Sequence, residues 1–376
     1  MRATRIFWWH VCIMDYRLPF FQLLSDRFEI KFFFLESNAS VPNVLDSIYA
    51  SALGRTGIRG LANLTFLGFH DLLALYSGIR QSDVFATSNI WTSYSLIGLI
   101  FCKVLHKKVI VWEEWNVVFP GLRAAFMYAL IRLFCRYVDA FFVLGEPQRK
   151  FLMNLGVEAE RVFVANEYPG HIYSEVQPRN IPLPFDENTS IILYMGRLLE
   201  VKGVEFLLRA FSIVEKKYDN AALLIVGDGP LLEYLKNLAR QLGIHRIHFT
   251  GWIADIYVKS YLFRRSCMVI VPSIHAKTSP RHEGGPMVVV EALSAGRPVI
   301  STDATPHCLA FIKDGINGYQ VPQRNVEFLA DRIMRLLDTP ITPAQVLSTF
   351  HQIKGYEYQA EQFEKAVSYS LNRKVS

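Results

Sequence analysis

Glu283 and Glu291 stand eight positions apart in HEGGPMVVVEALSAG, residues 282–296, and the second of them interrupts an apolar run. A carboxylate taken out of water is costly unless something pairs with it. Either Glu291 is an ordinary helix residue that snorkels or meets a cation, or it is kept for a ligand. Pro286 suits a first helical position, Gly296 a C-cap, and Arg297-Pro298 a chain leaving the helix, so 287–295 is expected as a short helix. Glu283 then lies in the glycine-rich loop before the helix and Glu291 within it, at one structural corner. The amides of Gly284, Gly285 and Met287, with Val288 next in the turn, suit the helix N-terminus to an anion or an electron-rich hydroxyl. Two carboxylates beside it can each accept hydrogen bonds from a pair of adjacent hydroxyls, as a ribose and a hexopyranose offer. A nucleotide sugar meets both demands.

Cationic groups sit upstream. In YMGRLLEVKG, residues 194–203, Gly196 and Arg197 fall at the carboxyl end of a strand and Lys202 before the helix VEFLLRAFSIV. A guanidinium and an ammonium there can neutralise a departing diphosphate without a metal, although a solvated loop would look the same. LLIVGDGPLL, residues 223–232, fails as a dinucleotide fingerprint because Leu232 stands where G-x-G-x-x-G needs glycine. As a tight turn at Gly227 that leaves room for a ligand it is reasonable. No D-x-D pair is present, and His245 and His248 lack carboxylate support and read as structural, so no metal or other cofactor is expected.

These loops need strand ends to carry them. Short β-branched and aromatic runs alternate with helical patterns in two series. The first is TRIFWWHVCIM, FEIKFFFLE, DVFATS, KKVIVWEEW, DAFFVLG and RVFVANEY; the second is SIILYMG, AALLIVGDG, RIHFTG, MVIVPS, PVISTDA and GYQVP. Such alternation marks parallel sheets built from βαβ units. Residues 170–190 carry prolines and no periodicity, and read as a linker. Two α/β domains, 1–180 and 181–376, are therefore expected, with strand carboxyl ends facing a central cleft. The final helical stretch, reaching about Asn372, either caps the second domain or crosses back to the first.

Composition narrows the class. The chain of 376 residues, 51% hydrophobic and 20% charged with a mean hydropathy of +0.19, describes packed globular domains, not disorder. Five dispersed cysteines without C-x-x-C suggest neither a disulfide framework nor zinc, and fit a reducing cytoplasm. The opening run imitates a signal peptide, but His10 and the lack of a small-residue cleavage site favour a buried strand. The first 150 residues hold 16 Lys and Arg against 11 Asp and Glu, a balance that suits anionic substrates or an anionic membrane surface. No zinc-finger spacing or RNP-like motif supports a nucleic-acid partner. Residues 121–137, GLRAAFMYALIRLFCRY, fit an interfacial helix at the inner membrane face, with core packing the favoured alternative.

In order, GRLLEVKG, LLIVGDGP, FTGW, VIVPS, EGGPMVVVEALSAGRPVIST and DGINGYQVP resemble the retaining glycosyltransferases of family four, with the GT-B fold of two Rossmann-like domains. The resemblance covers most of the C-terminal half. It implies that Glu291 binds ribose hydroxyls, Glu283 a hydroxyl of the transferred sugar, and Arg197 and Lys202 the diphosphate. It also implies that the amides from Gly284 to Met287 meet sugar and phosphate, and that Trp252 borders the base. The N-terminal half matches more loosely: Asp15-Tyr16-Arg17 replaces a frequent glycine pair, and Glu113-Glu114 stands where many relatives carry a histidine. Tyr16, Arg17, Glu113 and Glu114 are thus acceptor-side or donor-sugar candidates, the two glutamates serving equally well as ordinary loop acids. The implied reaction moves a sugar from a nucleotide sugar to a glycan or lipid-linked hydroxyl in surface polysaccharide synthesis, with retention. An epimerase or phosphorylase of the same architecture, or a catalytically silent sugar-nucleotide binder, is the alternative.

Overall fold

The computed structural model describes residues 3–12, 17–36, 50–52, 69–90, 92–113, 123–275, 287–305 and 309–373. The first run of elements is β1 (Arg5–Cys12), α1 (Leu18–Arg27), β2 (Glu29–Glu36), β3 (Ala50–Ala52), α2 (Phe69–Gln81), β4 (Val84–Ser88), α3 (Ser93–Val104), β5 (Lys108–Glu113), α4 (Arg123–Cys135), β6 (Ala140–Val143), α5 (Glu146–Asn154) and β7 (Val162–Val164). The second is β8 (Ser190–Met195), α6 (Val204–Val214), β9 (Ala221–Val226), α7 (Leu232–Gln241), β10 (Ile247–Gly251), α8 (Ile256–Arg265), β11 (Ser266–Val271), α9 (Val288–Ser294), β12 (Val299–Thr302), β13 (Gly318–Val321), α10 (Val326–Asp338) and α11 (Pro343–Phe350), followed by α12 (Tyr356–Asn372). Each of the twelve expected strand runs forms a strand, and β3 is an addition.

The strands form two all-parallel sheets, ordered β3-β2-β1-β4-β5-β6-β7 and β10-β9-β8-β11-β12-β13. Chain direction across each sheet reverses once, between β1 and β4 and between β8 and β11. Those are the switch points at which open α/β sheets leave a crevice. Met1–Gly170 with Lys354–Ser376 make one compact unit and His171–Ile353 the other. The division thus departs from a cut at 180 in two ways. The stretch after 170 is tied to the second unit: Ser174 N donates to Ser294 O at 2.9 Å and Arg264 to Ser174 O at 2.9 Å. Helix α12 belongs to the first, packing on α1 and on β5 to β7.

Period-two burial explains the first sheet. Ile6 and Trp8 of β1 enter one core with Phe20, Phe21, Trp112 and Phe142, while Phe7 and Trp9 enter the opposite core with Phe85 and Phe141. Helix α12 completes the former: Phe363 stacks on Trp8 at 4.7 Å between centroids and meets Phe142 edge-on at 5.6 Å. The second sheet packs aliphatic residues instead. Val204, Leu207, Leu208 and Phe211 of α6, at helical spacing, bury on Ile192, Leu223 and Ile225. Helix α11 was not apparent as a separate pattern; a capping box between Thr342 and Gln345, with Pro343 first in the helix, starts it.

Candidate functional site

The second unit's site is laid out by backbone. After β8 the chain runs through Gly196, Arg197 and Lys202, and it is locked to both neighbouring strand ends. Towards β9, Leu198 N donates to Asp228 O at 2.8 Å and Leu231 N to Leu198 O at 3.2 Å. Gly227 N in turn donates to Gly251 O at the end of β10, 2.8 Å away. Towards β11, Ile274 N donates to Val201 O at 2.8 Å. Two glycines permit this proximity. A Cβ on Gly227 (φ 145°) would stand 1.8 Å from Gly196 O, and one on Gly203 (φ 63°) 2.0 Å from Pro272 O. Both positions combine a left-handed backbone with no room for a side chain.

Around this frame the predicted donor residues take their places. Arg197 is exposed and Lys202 half-buried, both beyond the carboxyl end of β8. Met287 and Val288 begin the helix that follows β11, and Glu291 is its fourth residue. Trp252, 62% exposed, follows β10. Glu283, Gly284 and Gly285 lie outside the described residues, as do Tyr16 and Glu114.

Glu291 is not left for a ligand alone to satisfy. The hydroxyl of Tyr173 and the ammonium of Lys259 on α8 both lie close enough to act on its carboxylate. The carboxylate keeps some contact with solvent, yet the protein packed around it pushes its pKa up, against the pull of Lys259 and then of the Tyr173 hydrogen bond. Burial and the adjacent charge of Glu291 raise the Tyr173 pKa as well, so the phenol stays protonated and donating. Lys259 Nζ also stands 5.8 Å from the centroid of the Trp252 ring, placing one cation near both the carboxylate and the indole. Neither Tyr173 nor Lys259 carried a motif, and Tyr173 falls in the stretch that reads as linker.

The first unit concentrates polar side chains at its own switch point. Arg17 donates to His10 Nε2 at 3.1 Å and its guanidinium lies 4.7 Å from the Trp112 ring centroid. Since a guanidinium only donates, Nε2 carries the lone pair, and the neutral ring donates from Nδ1 to Ser88 Oγ. Burial, then the charge of Arg17, holds the His10 pKa well below the usual histidine range. Glu113 is buried at the end of β5 and accepts from Ile90 N at 3.1 Å, tying the loop after β4 to β5. Of the two readings open for Glu113, this contact gives it a structural duty. His10 and Ser88 had no signal beyond lying at strand ends.

The sequence model of the family described as glycosyl transferases group 1 matches residues 179–348. Over that segment the chain is similar to the glycosyl transferases group 1. An uncharacterized glycosyltransferase of Haemophilus influenzae is 26% identical to this chain over 253 residues, 66% of the chain and 64% of the relative. The alpha-monoglucosyldiacylglycerol synthase of Streptococcus pneumoniae is 26% identical over 82% of the chain and 72% of its own length. The match spans only 38% and 56% of two uncharacterized glycosyltransferases of Methanocaldococcus jannaschii. Among solved structures, Anabaena HepE in complex with UDP is similar with a TM-score of 0.75 at 16% identity, covering 97% of this chain and 100% of that one. That likeness establishes the fold, GT-B, with two Rossmann-like α/β units.

Proposed function

We propose that this chain is a glycosyltransferase that moves a sugar from a nucleoside diphosphate sugar to a hydroxyl of a glycan or lipid-linked acceptor in surface polysaccharide synthesis. The observation that carries the reading is the second unit's switch point. Loops locked by backbone hydrogen bonds present Arg197 and Lys202 after β8, beside the helix after β11 that bears Glu291. Relatives named for poly(ribitol-phosphate), poly(glycerol-phosphate) and diacylglycerol acceptors support the acceptor class.

In this reading Glu291 accepts from the ribose hydroxyls and Arg197 and Lys202 hold the diphosphate. Trp252 borders the base, and Gly196 and Gly227 leave space for the phosphates. Glu283 accepts from the transferred sugar, and the amides of Gly284, Gly285 and Met287, with Val288 behind them, complete the donor contact. The acceptor oxygen bonds to the anomeric carbon as the bond to the diphosphate oxygen breaks, and the acceptor proton leaves with the diphosphate. Positioning and charge stabilisation of the leaving group supply the rate enhancement, without a divalent cation and with retention. Acceptor recognition is assigned to the first unit, with Tyr16, Arg17 and Glu114 as the candidate contacts and Glu113 holding the loop. Exposed Phe126, Leu133 and Tyr137 beside Arg132 and Arg136 support contact with an anionic bilayer. Among the described residues no helix is long and apolar enough to cross a membrane.

A thermal-shift panel of UDP, GDP, ADP, CDP and dTDP tests the donor half: one diphosphate at 100 times its Kd should stabilise the second unit by about 2.7 kcal/mol. Labelled donors with an acceptor panel, run with and without EDTA, test transfer and its metal independence. A chain that binds none of the five has lost the basis for the reading.

A further inference from the structure

We infer that Tyr173 is a positioning residue for Glu291, its hydroxyl fixing one side of the carboxylate so that the remaining lone pairs meet the vicinal diol of a nucleotide ribose. The inference rests on the donor reading above and deepens it. Tyr173 precedes the segment shared with the group 1 family, residues 179–348. Its place is nevertheless built. Tyr173 N donates to Ser294 Oγ at 3.1 Å and Ser174 N to Ser294 O at 2.9 Å. Ser294 Oγ donates to Glu291 O at 2.7 Å, so the tyrosine backbone is stitched to the same turn of α9 that carries the glutamate. From α8, Ser260 Oγ donates to Tyr173 O at 3.2 Å, and Phe263 packs against the phenol ring at 4.9 Å. The residue is 2% exposed, which leaves its hydroxyl little choice of direction.

A phenylalanine would fill that space as well, and a buried hydroxyl costs free energy unless it is bonded. What the oxygen adds is a donor beside the Glu291 carboxylate. A carboxylate offers about four lone-pair sites. One goes to Tyr173, and a diol needs two of the rest. A glutamate already held in one rotamer loses less freedom when the nucleotide arrives, which raises affinity without a new contact to the ligand. Among the described residues, Lys259 from α8 and Tyr173 from the segment before β8 are the groups that act on the Glu291 charge. Removing the donated proton should therefore move the loss of nucleotide affinity at acid pH to a higher pH.

The test is calorimetry on the full chain with Tyr173→Phe, using whichever of UDP, GDP, ADP, CDP and dTDP binds the parent best, with its ribose and 2′,3′-dideoxy forms compared. We expect the ribose form to weaken about five- to tenfold and the dideoxy form to stay within about twofold. In a Glu291→Gln background the same change should cost nothing further. Thermal unfolding of Tyr173→Phe checks that the retained ring still folds. Equal loss for both nucleotides makes Tyr173 a packing residue and overturns the inference, and so does no loss for either. A parent that binds both forms equally separates Glu291 from the ribose and overturns this inference while the donor reading stands. A parent that binds none removes both.

Discussion

In the first unit the carboxyl ends of β1, β4 and β5 are filled by side chains; in the second, the ends of β8, β9, β10 and β11 are drawn together by backbone. His10, Arg17, Ser88, Trp112 and Glu113 occupy the first switch point, over a core of stacked aromatic rings. The two cores of that unit bury polar groups as well: the indole N–H groups of Trp8 and Trp112 in this one and of Trp9 in the opposite one have no acceptor among the described residues. The second core is mostly Ile, Leu, Val and Ala, and its switch point is shaped by peptide hydrogen bonds and by glycines where no Cβ fits. The contrast teaches where each unit is vulnerable. A unit built of side-chain packing should fail by losing volume, whereas one built of backbone should fail by gaining a single methyl group.

The largest effect is expected in the first unit. Phe363→Ala removes the ring that stacks on Trp8 and meets Phe142, and a buried Phe→Ala change costs about 3–5 kcal/mol. Urea unfolding followed by tryptophan fluorescence reads the first unit, since five of the six tryptophans precede residue 170. Nucleoside diphosphate binding by the second unit should survive; its loss would mean that the units do not fail independently. The counterpart is Gly203→Ala, which places a methyl against Pro272 O at a φ of 63°. About 2–3 kcal/mol of stability and the nucleotide site should go together. Gly243→Ala is the control, because its φ of 68° is similar but nothing lies within 4 Å of the added carbon; it should cost about 1 kcal/mol. Equal costs at 203 and 243 would mean the close loop approach is not what the glycine serves.

The same contrast decides how much could be read in advance. Backbone-built sites leave glycines and charged residues at fixed spacings, so GRLLEVKG, GDGP and EGGPMVVVEALSAG stand out in the sequence as the candidate second site. Twelve strands were legible for a related reason, since strands buried on both faces give continuous apolar runs. Side-chain networks leave no such trace. Tyr173 and Glu291 meet across 118 positions, and His10 and Ser88 across 78, with no local pattern to join them. The domain cut at 180 missed 171–180 for the same reason: prolines and absent periodicity signal irregular backbone, but not which sheet that backbone is bonded to.

A smaller effect should come from Glu291→Gln, with opposite signs in two measurements. Because burial raises the Glu291 pKa in the folded chain, its contribution to stability is fully present below the unfolded value and is lost as pH rises through the folded one. Above the folded value the ionised carboxylate is therefore a net cost to the unliganded protein, and there the glutamine variant should melt at the same temperature or higher. Its affinity for the nucleoside diphosphate should nevertheless fall roughly ten- to a hundredfold, the usual loss for hydrogen bonds to a charged group. Scanning calorimetry and titration calorimetry on one preparation give both numbers. A variant that melts lower and binds as the parent does would make Glu291 a structural residue.

The smallest expected effect isolates the first unit's polar cluster. His10 has its pKa depressed by burial first and by Arg17 second, so it stays neutral in the folded chain and gains a proton on unfolding at mildly acid pH. The sign follows: its contribution is present above the unfolded pKa of about 6.5 and is lost as pH falls below it. His10→Asn should be less stable than the parent at pH 7, because the ring bonded to Ser88 and Arg17 is gone. That gap should narrow by about 1 kcal/mol on going to pH 5.5, since only the parent must give up a depressed histidine. Urea midpoints of both proteins across pH 7.5 to 5.0 measure it, with the other nine histidines cancelling in the difference. A gap that holds constant with pH would show that His10 is protonated in the fold as readily as in the unfolded chain. Nε2 could not then accept from Arg17, and the side-chain closure of the first switch point would have to be redrawn around a different bond.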